Sequence, residues 1–217
     1  MEMDAIIRGL LGWHRETLSA WTMVGVIIGA FATFASDVPT IPTFLVMLHA
    51  VAHAPFSIAY HCNNNIVVDN YDIKYIKNDV AMIYISHIIM HLALSMRSVP
   101  WQISSIVCTI VICLCLHVAD KIWIGGQDND MTTAPDIRRI GVSYAWIFLL
   151  HYIPILFKGN PKTIALHICI FCCILLIYKY SIVGSVMGTR ETMNIDNTIM
   201  HFCLILNNMF AHYYAKA

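Results

Sequence analysis

The chain has 217 residues, 59% of them hydrophobic and 12% charged, with 13 basic and 13 acidic side chains and no formal net charge. Soluble chains average about 45–50% apolar and 25% charged residues, so a water-soluble domain, a disordered segment and a basic nucleic-acid-binding surface are all excluded as readings. What remains is an all-α, polytopic membrane protein forming one domain over residues 1–217.

Ile6, Ile7, Leu10 and Leu11 recur at helical spacing within residues 3–13. They predict a short amphipathic helix on the inner membrane surface. The first 17 residues carry Glu2, Asp4, Arg8, Arg15 and Glu16 and no long apolar core, so no cleavable signal peptide is expected. Seven apolar runs then reach spanning length: 18–36, 41–62, 79–96, 101–119, 140–157, 163–183 and 197–215. Pro39 and Pro42, Asn63 to Asn65, Pro100, the stretch 125–135, Pro161 and 184–190 separate them. Strands of a membrane barrel would be shorter and would alternate. All eight cysteines lie in or at the ends of apolar runs, which predicts packing residues and not a disulfide framework.

Orientation follows from the basic residues near the span ends. With the N-terminus inside, Arg8, Arg15, Lys74, Lys77, Lys121, Arg138, Arg139, Lys179 and Arg190 are inner, and Arg97, Lys158, Lys162 and Lys216 are outer. The excess on the first side predicts a cytoplasmic N-terminus and an outer C-terminus.

Ionisable residues inside a membrane are costly and face the bundle interior. Span 2 ends on the inner side, which brings Ser57 and His61 there. Spans 3 and 7 begin there, which brings Asp79, Asp196, Asn197 and His201 to the same level. His201 lies about 6 Å along the axis from Asn197. Two imidazoles and a carboxylate at one depth suit zinc, which polarises a carbonyl and supplies hydroxide. Asp79 is then the candidate base, and Ser57, one turn from His61, handles a water or a substrate oxygen. Interhelical hydrogen bonding without a metal is the alternative. A second constellation is the stripe His49 and His53 on span 2 with His87 and His91 on span 3. It reads as packing, as a second site or as a proton path, with His53 expected near the depth of His87. His117, His151, His167 and His212 are single residues on separate spans.

Several short motifs resemble one family in order along the chain. His14-Arg15-Glu16-Thr17-Leu18-Ser19-Ala20-Trp21-Thr22 is similar to the signature entering span 1 of the progestin and adipoQ receptor family. Ser57-Ile58-Ala59-Tyr60-His61 resembles its S-x-x-x-H at the end of span 2. Asp79 resembles the aspartate opening span 3, and Pro135 with Arg138, Arg139 and Gly141 the basic stretch entering span 5. Gly188-Thr189-Arg190 resembles the arginine after span 6. Asn197-Thr198-Ile199-Met200-His201, followed by His212 and Tyr213, resembles the H-x-x-x-H of span 7. The wider superfamily includes hemolysin-III-like proteins and alkaline ceramidases.

The resemblance implies a seven-helix bundle with its N-terminus inside and zinc near the inner face. It implies His61 and His201 as ligands and Asn197 at the third ligand position, where the family has histidine; in an alternative registration His201 is the first histidine of span 7 and Ile205 stands at the second. It also implies either hydrolysis of a lipid amide such as ceramide or a receptor role toward a lipid or small hydrophobic ligand. Met23 replaces the last histidine of the span-1 signature. Asn197 favours a non-catalytic, receptor-like protein, because an amide oxygen is a poor zinc ligand. A channel or transporter rests on the histidine stripe alone. A retinal protein would need a lysine inside the last span, and Lys216 lies at its end.

Overall fold

The computed structural model describes residues 16–63, 73–96, 161–180, 182–188 and 194–216, with positions 6, 7, 10–12, 14, 107, 110, 111 and 114. Six helices are defined among them: α1 (Thr17–Ala35), α2 (Ile41–Asn63), α3 (Ile73–Ser95), α4 (Pro161–Tyr180), α5 (Ile182–Met187) and α6 (Ile195–Lys216). No strand occurs among the described residues. Two helices, α1 and α2, are long and apolar enough to cross a membrane. The run expected at 140–157 lies outside the described residues, and of 101–119 only Val107, Ile110, Val111 and Leu114 are described, all helical.

The helix ends follow local chemistry. Ser36 closes α1, its backbone N–H bonding the Ala32 carbonyl. The α2 start is held by Thr40 and Thr43, which bond each other's hydroxyl and backbone groups, a turn that offsets the unpaired N–H groups of a helix start. Pro55 sits inside α2 and removes one backbone donor there. α3 begins at Ile73, six residues before the apolar run that predicted it; Lys74, Lys77 and Asn78 keep its first turns out of that run.

Antiparallel α1 and α2, joined by residues 36–40, pack on each other and on α6, and α2 also packs on α3. Side-chain contacts fix the directions. Ser19 meets Asn197, Thr22 meets His201 and Asp37 meets Lys216, so α1 and α6 run parallel. His49 meets Ser86 and His53 meets Asp79, so α2 and α3 run antiparallel. We call the end where α1, α3 and α6 begin the site end, and the opposite one the far end.

The core is built of small residues. Ala20, Met23, Val26, Ala30, Ala50, Ala54, Ile58 and Cys62 form one buried cluster between α1 and α2, closed by Leu204 and Ile205 of α6. Gly25 and Gly29 lie one turn apart on α1 and face Ile205. A Cβ on Gly29 would come within 3.2 Å of Ile205 Cγ2, so α1 and α6 approach closely because no side chain intervenes. Such small-xxx-small pairs suit helices that associate in lipid, where packing replaces the hydrophobic drive. Many large apolar side chains point outward, among them Trp21, Ile28, Phe31, Phe44, Phe202 and Leu206.

Ile6, Ile7, Leu10 and Leu11 are helical. Ile6 and Leu10 pack on the α1–α2 cluster, Leu11 is exposed, and Trp21 Nε1 donates to the Leu10 carbonyl at 2.9 Å.

Candidate functional site

Three helix ends bring the polar residues together. His61 stands in the last turn of α2, His201 in the second turn of α6, and Glu16 immediately precedes α1. The His61 and His201 rings lie 4.8 Å apart, centroid to centroid, in an edge arrangement. Both are buried, at 2% and 4% exposure.

Each ring has its Nδ1 engaged. His61 Nδ1–H donates to Glu16 Oε2 at 3.1 Å. The other oxygen of that carboxylate accepts from Asn194 Nδ2 at 2.8 Å. Glu16 stands at the α1 N-cap position, yet its side chain does not cap α1; it is turned to His61. On the other ring, Thr22 Oγ1 donates to the Ser19 carbonyl at 2.7 Å. His201 Nδ1 then donates to that carbonyl and to Thr22 Oγ1, each at 3.2 Å. With both Nδ1 atoms protonated, the Nε2 of each ring carries a lone pair. Among the described residues nothing hydrogen-bonds to either Nε2.

Asp79 and His53 form the next layer, with His53 Nε2 donating to Asp79 Oδ1 at 3.0 Å. Asp79 lies within electrostatic range of His61 and His201 as well as His53. Ser57 is buried on α2 between His53 and His61. Asn197 is buried too, and its amide N–H donates to Ser19 Oγ at 3.2 Å. Ser19 Oγ in turn lies 3.3 Å from Thr198 Oγ1. Asp196 points away from the pair. Its two oxygens accept the backbone N–H groups of Val183 and Gly184, at 2.9 and 3.0 Å, and so anchor α5 to α6.

Of the residues read from the sequence, His61 and His201 meet, and Asp79 lies beside them in partnership with His53. His53 is not level with His87. It is His49 whose ring lies against His87, at 5.3 Å, with Nδ1 donating to the Ser86 carbonyl at 2.7 Å. The sequence reading assigned no role to Glu16. A signal for it exists: in a chain with 13 acidic residues, this one begins an apolar helix at the level of His61.

A second polar group lies at the far end. Lys216 Nζ is 2.6 Å from Asp37 Oδ2 and His212 Nε2 is 3.8 Å from the same oxygen. Asn208 and His212 border a cavity of about 10 Å³, the room of one water.

The donor set suits a metal in one respect. Histidine ligands donate their second ring N–H to a carboxylate or backbone carbonyl, which fixes the tautomer and raises basicity. Glu16 does this for His61, and the Ser19 carbonyl for His201. Among the described residues, no three His, Cys, Asp or Glu side chains converge as they stand into a metal-holding group. Two imidazoles and the neutral amide of Asn197 remain as the donors. The chain matches no family model, no curated protein and no solved structure.

Proposed function

We propose that this chain is a multi-pass membrane protein, a seven-helix bundle with a cytoplasmic N-terminus, related to the progestin and adipoQ receptor and alkaline ceramidase superfamily. In this reading His61 and His201 hold a zinc ion near the inner membrane face, and the protein acts on a lipid amide of the ceramide class. The observation that carries it is the matched tethering of the two rings, which presents two Nε2 lone pairs from adjacent helices in a buried setting. Zinc held there supplies Lewis acidity toward a carbonyl or a water.

The remaining steps belong to the chain's own groups. Glu16 and the Ser19 carbonyl keep both imidazoles in the ligating tautomer. Asp79, oriented by His53, takes the proton from the attacking water and returns it to the leaving amine. Ser57 offers a hydroxyl to a water or a substrate oxygen. The outward-facing apolar side chains of α1 and α6 give a lipid substrate lateral access.

A second reading has its own observation. Asn197 bonds Ser19 and offers the metal only a neutral oxygen, which favours a receptor-like protein that binds a small hydrophobic ligand without turning it over. One experiment separates the two. Purified protein is analysed for zinc and assayed with a labelled ceramide. The hydrolase reading expects one zinc per chain, its loss in His61→Ala and His201→Ala, its retention in His91→Ala, and product release by the wild type. Zinc without product supports the receptor. Zinc retained in His61→Ala removes the proposed site altogether.

A further inference from the structure

We infer that the histidines of α2 and α3 beyond the zinc-binding pair form a proton pathway running from the far end of the bundle to Asp79. The pathway stands on its own geometry, and only its use by Asp79 as a base rests on the hydrolase reading.

The line can be followed residue by residue. Asp79 Oδ1 is 3.0 Å from His53 Nε2. His49 lies one turn along α2 toward the far end. Its ring is 5.3 Å from that of His87 on α3. His91 lies one turn further along α3, 2% exposed, and the Ser95 hydroxyl in the next turn donates to the His91 carbonyl at 2.6 Å. α3 ends there, at Ser95. From Asp79 to His91 is twelve residues, about 18 Å of helix rise, against an apolar membrane core of about 30 Å. At the site end the line meets solvent: the Asp79 side chain is 13% exposed and Asn78 beside it is exposed.

Imidazole suits the task because one nitrogen can receive a proton while the other releases one. The bonds already present set the polarity of the links. His49 donates through Nδ1 to the Ser86 carbonyl, which leaves Nε2 to accept a proton; the Nδ1 proton then passes to His53 as the ring turns from that carbonyl, and the ring is neutral again. His53 donates through Nε2 to Asp79, which leaves Nδ1 as acceptor. When a proton reaches His53 Nδ1, the imidazolium releases its Nε2 proton to the Asp79 carboxylate. One N–H bond forms at Nδ1, one breaks at Nε2, an O–H forms on Asp79, and the ring is again neutral. Groups facing the line are His61 and His201 beside Asp79, and the buried Tyr84 on α3. Four imidazoles at helical spacing in the interior are costly to bury, and chains of His and Asp in membrane helices mark proton relays.

The test uses the full chain in vesicles loaded with a pH-sensitive dye, with a potassium gradient and valinomycin supplying the driving potential. The wild type is expected to acidify the lumen faster than protein-free vesicles. His87→Phe and His49→Gln are expected to fall to the protein-free rate. His49→Gln keeps a donor for the Ser86 carbonyl, and circular dichroism checks that both variants remain helical. Zinc content is measured on each. Flux lost with zinc content unchanged from wild type supports the pathway, including the case in which the wild type holds no zinc and the zinc reading alone fails. The proposal is overturned if the wild type conducts no faster than protein-free vesicles, or if both variants conduct like the wild type. Flux and zinc lost together also overturn it, since the histidines would then be supporting the metal site.

Discussion

Each end of α1 sets an imidazole near a carboxylate, with the ring coming from α2 at one end and from α6 at the other. At the site end His61 is bonded to Glu16, both 2% exposed, and His201 and Asn197 are bonded to Ser19 and Thr22. At the far end His212 stands 3.8 Å from Asp37, beyond hydrogen-bond length, and the same oxygen is held by the exposed Lys216. Asn208 Oδ1 and His212 Nε2 are buried there without a hydrogen-bond partner among the described residues. The same residue types thus make a closed network at one end and a loose clasp at the other. The difference is burial of the carboxylate: Glu16 is buried, and a buried pair is costly to break because the surviving partner cannot turn to water, whereas Asp37 is part-exposed and its pair with exposed Lys216 exchanges with solvent at little cost.

The sharpest way to break that contrast is Glu16→Ala. It leaves His61 Nδ1 and the Asn194 amide without their acceptor. A loss of about 3 kcal/mol in unfolding free energy is expected for leaving these two donors without their charged acceptor, read from thermal or denaturant unfolding in detergent. Any zinc affinity should fall by about 10–100-fold, since the support of a histidine ligand is removed. An unfolding midpoint equal to wild type would show that burial is not what separates the ends.

A smaller effect is expected from Asp196→Ala. Two backbone N–H groups, of Val183 and Gly184, lose their acceptor, at a cost of about 2 kcal/mol. Amide exchange at these two positions should quicken while that of α1 stays unchanged. Uniform quickening along the chain would mean that Asp196 supports the whole bundle and not the α5 junction alone.

The far end should respond least, and mainly to pH. The Lys216 ammonium bonded to Asp37, with the Val38 backbone N–H, holds this carboxyl below its ordinary value. A depressed carboxyl contributes stability above its unfolded value and loses it as pH falls through the folded one. Wild type and Asp37→Asn should therefore differ slightly at neutral pH and converge in acid. High salt should shrink the difference too. A gap that widens in acid would reverse the assignment.

These two ends also separate what was legible in the sequence from what was not. Counting residues from the span ends brought His61 and His201 to one depth, and they meet. The same count was not applied to the first span, so Glu16 escaped although it stands at that level. Depth says nothing of azimuth or of which helices are neighbours. Asn197 was read as facing an ion, but its partner is Ser19, a contact that exists only because α1 lies beside α6. His53 was matched with His87 by axial level, whereas the antiparallel register of α2 and α3 sets His49 level with His87 and lets His53 reach Asp79. The apolar runs at 18–36 and 41–62 were legible because composition alone makes them helices, here Thr17–Ala35 and Ile41–Asn63. The early start of α3 was not, because Lys74, Lys77 and Asn78 offset Ile73 and Ile76 and leave residues 73–78 without a net hydropathy signal.

Gly25 and Gly29 carry a consequence for how this chain tolerates change. Facing Ile205 across the α1–α6 seam, they set the separation at which the Ser19 carbonyl reaches His201 and the Asn197 amide reaches Ser19. The imidazole tautomer is therefore governed in part by two positions that bear no functional group and lie two to three turns from His201's partner. Outward-facing positions such as Ile28 and Phe31 can drift among apolar residues with little penalty. At position 29 the smallest added carbon must displace Ile205. Silent variation in this protein should thus be dense on the outward surface and sparse along one narrow line of α1, with the sparse line marking the chemistry before any polar residue is altered.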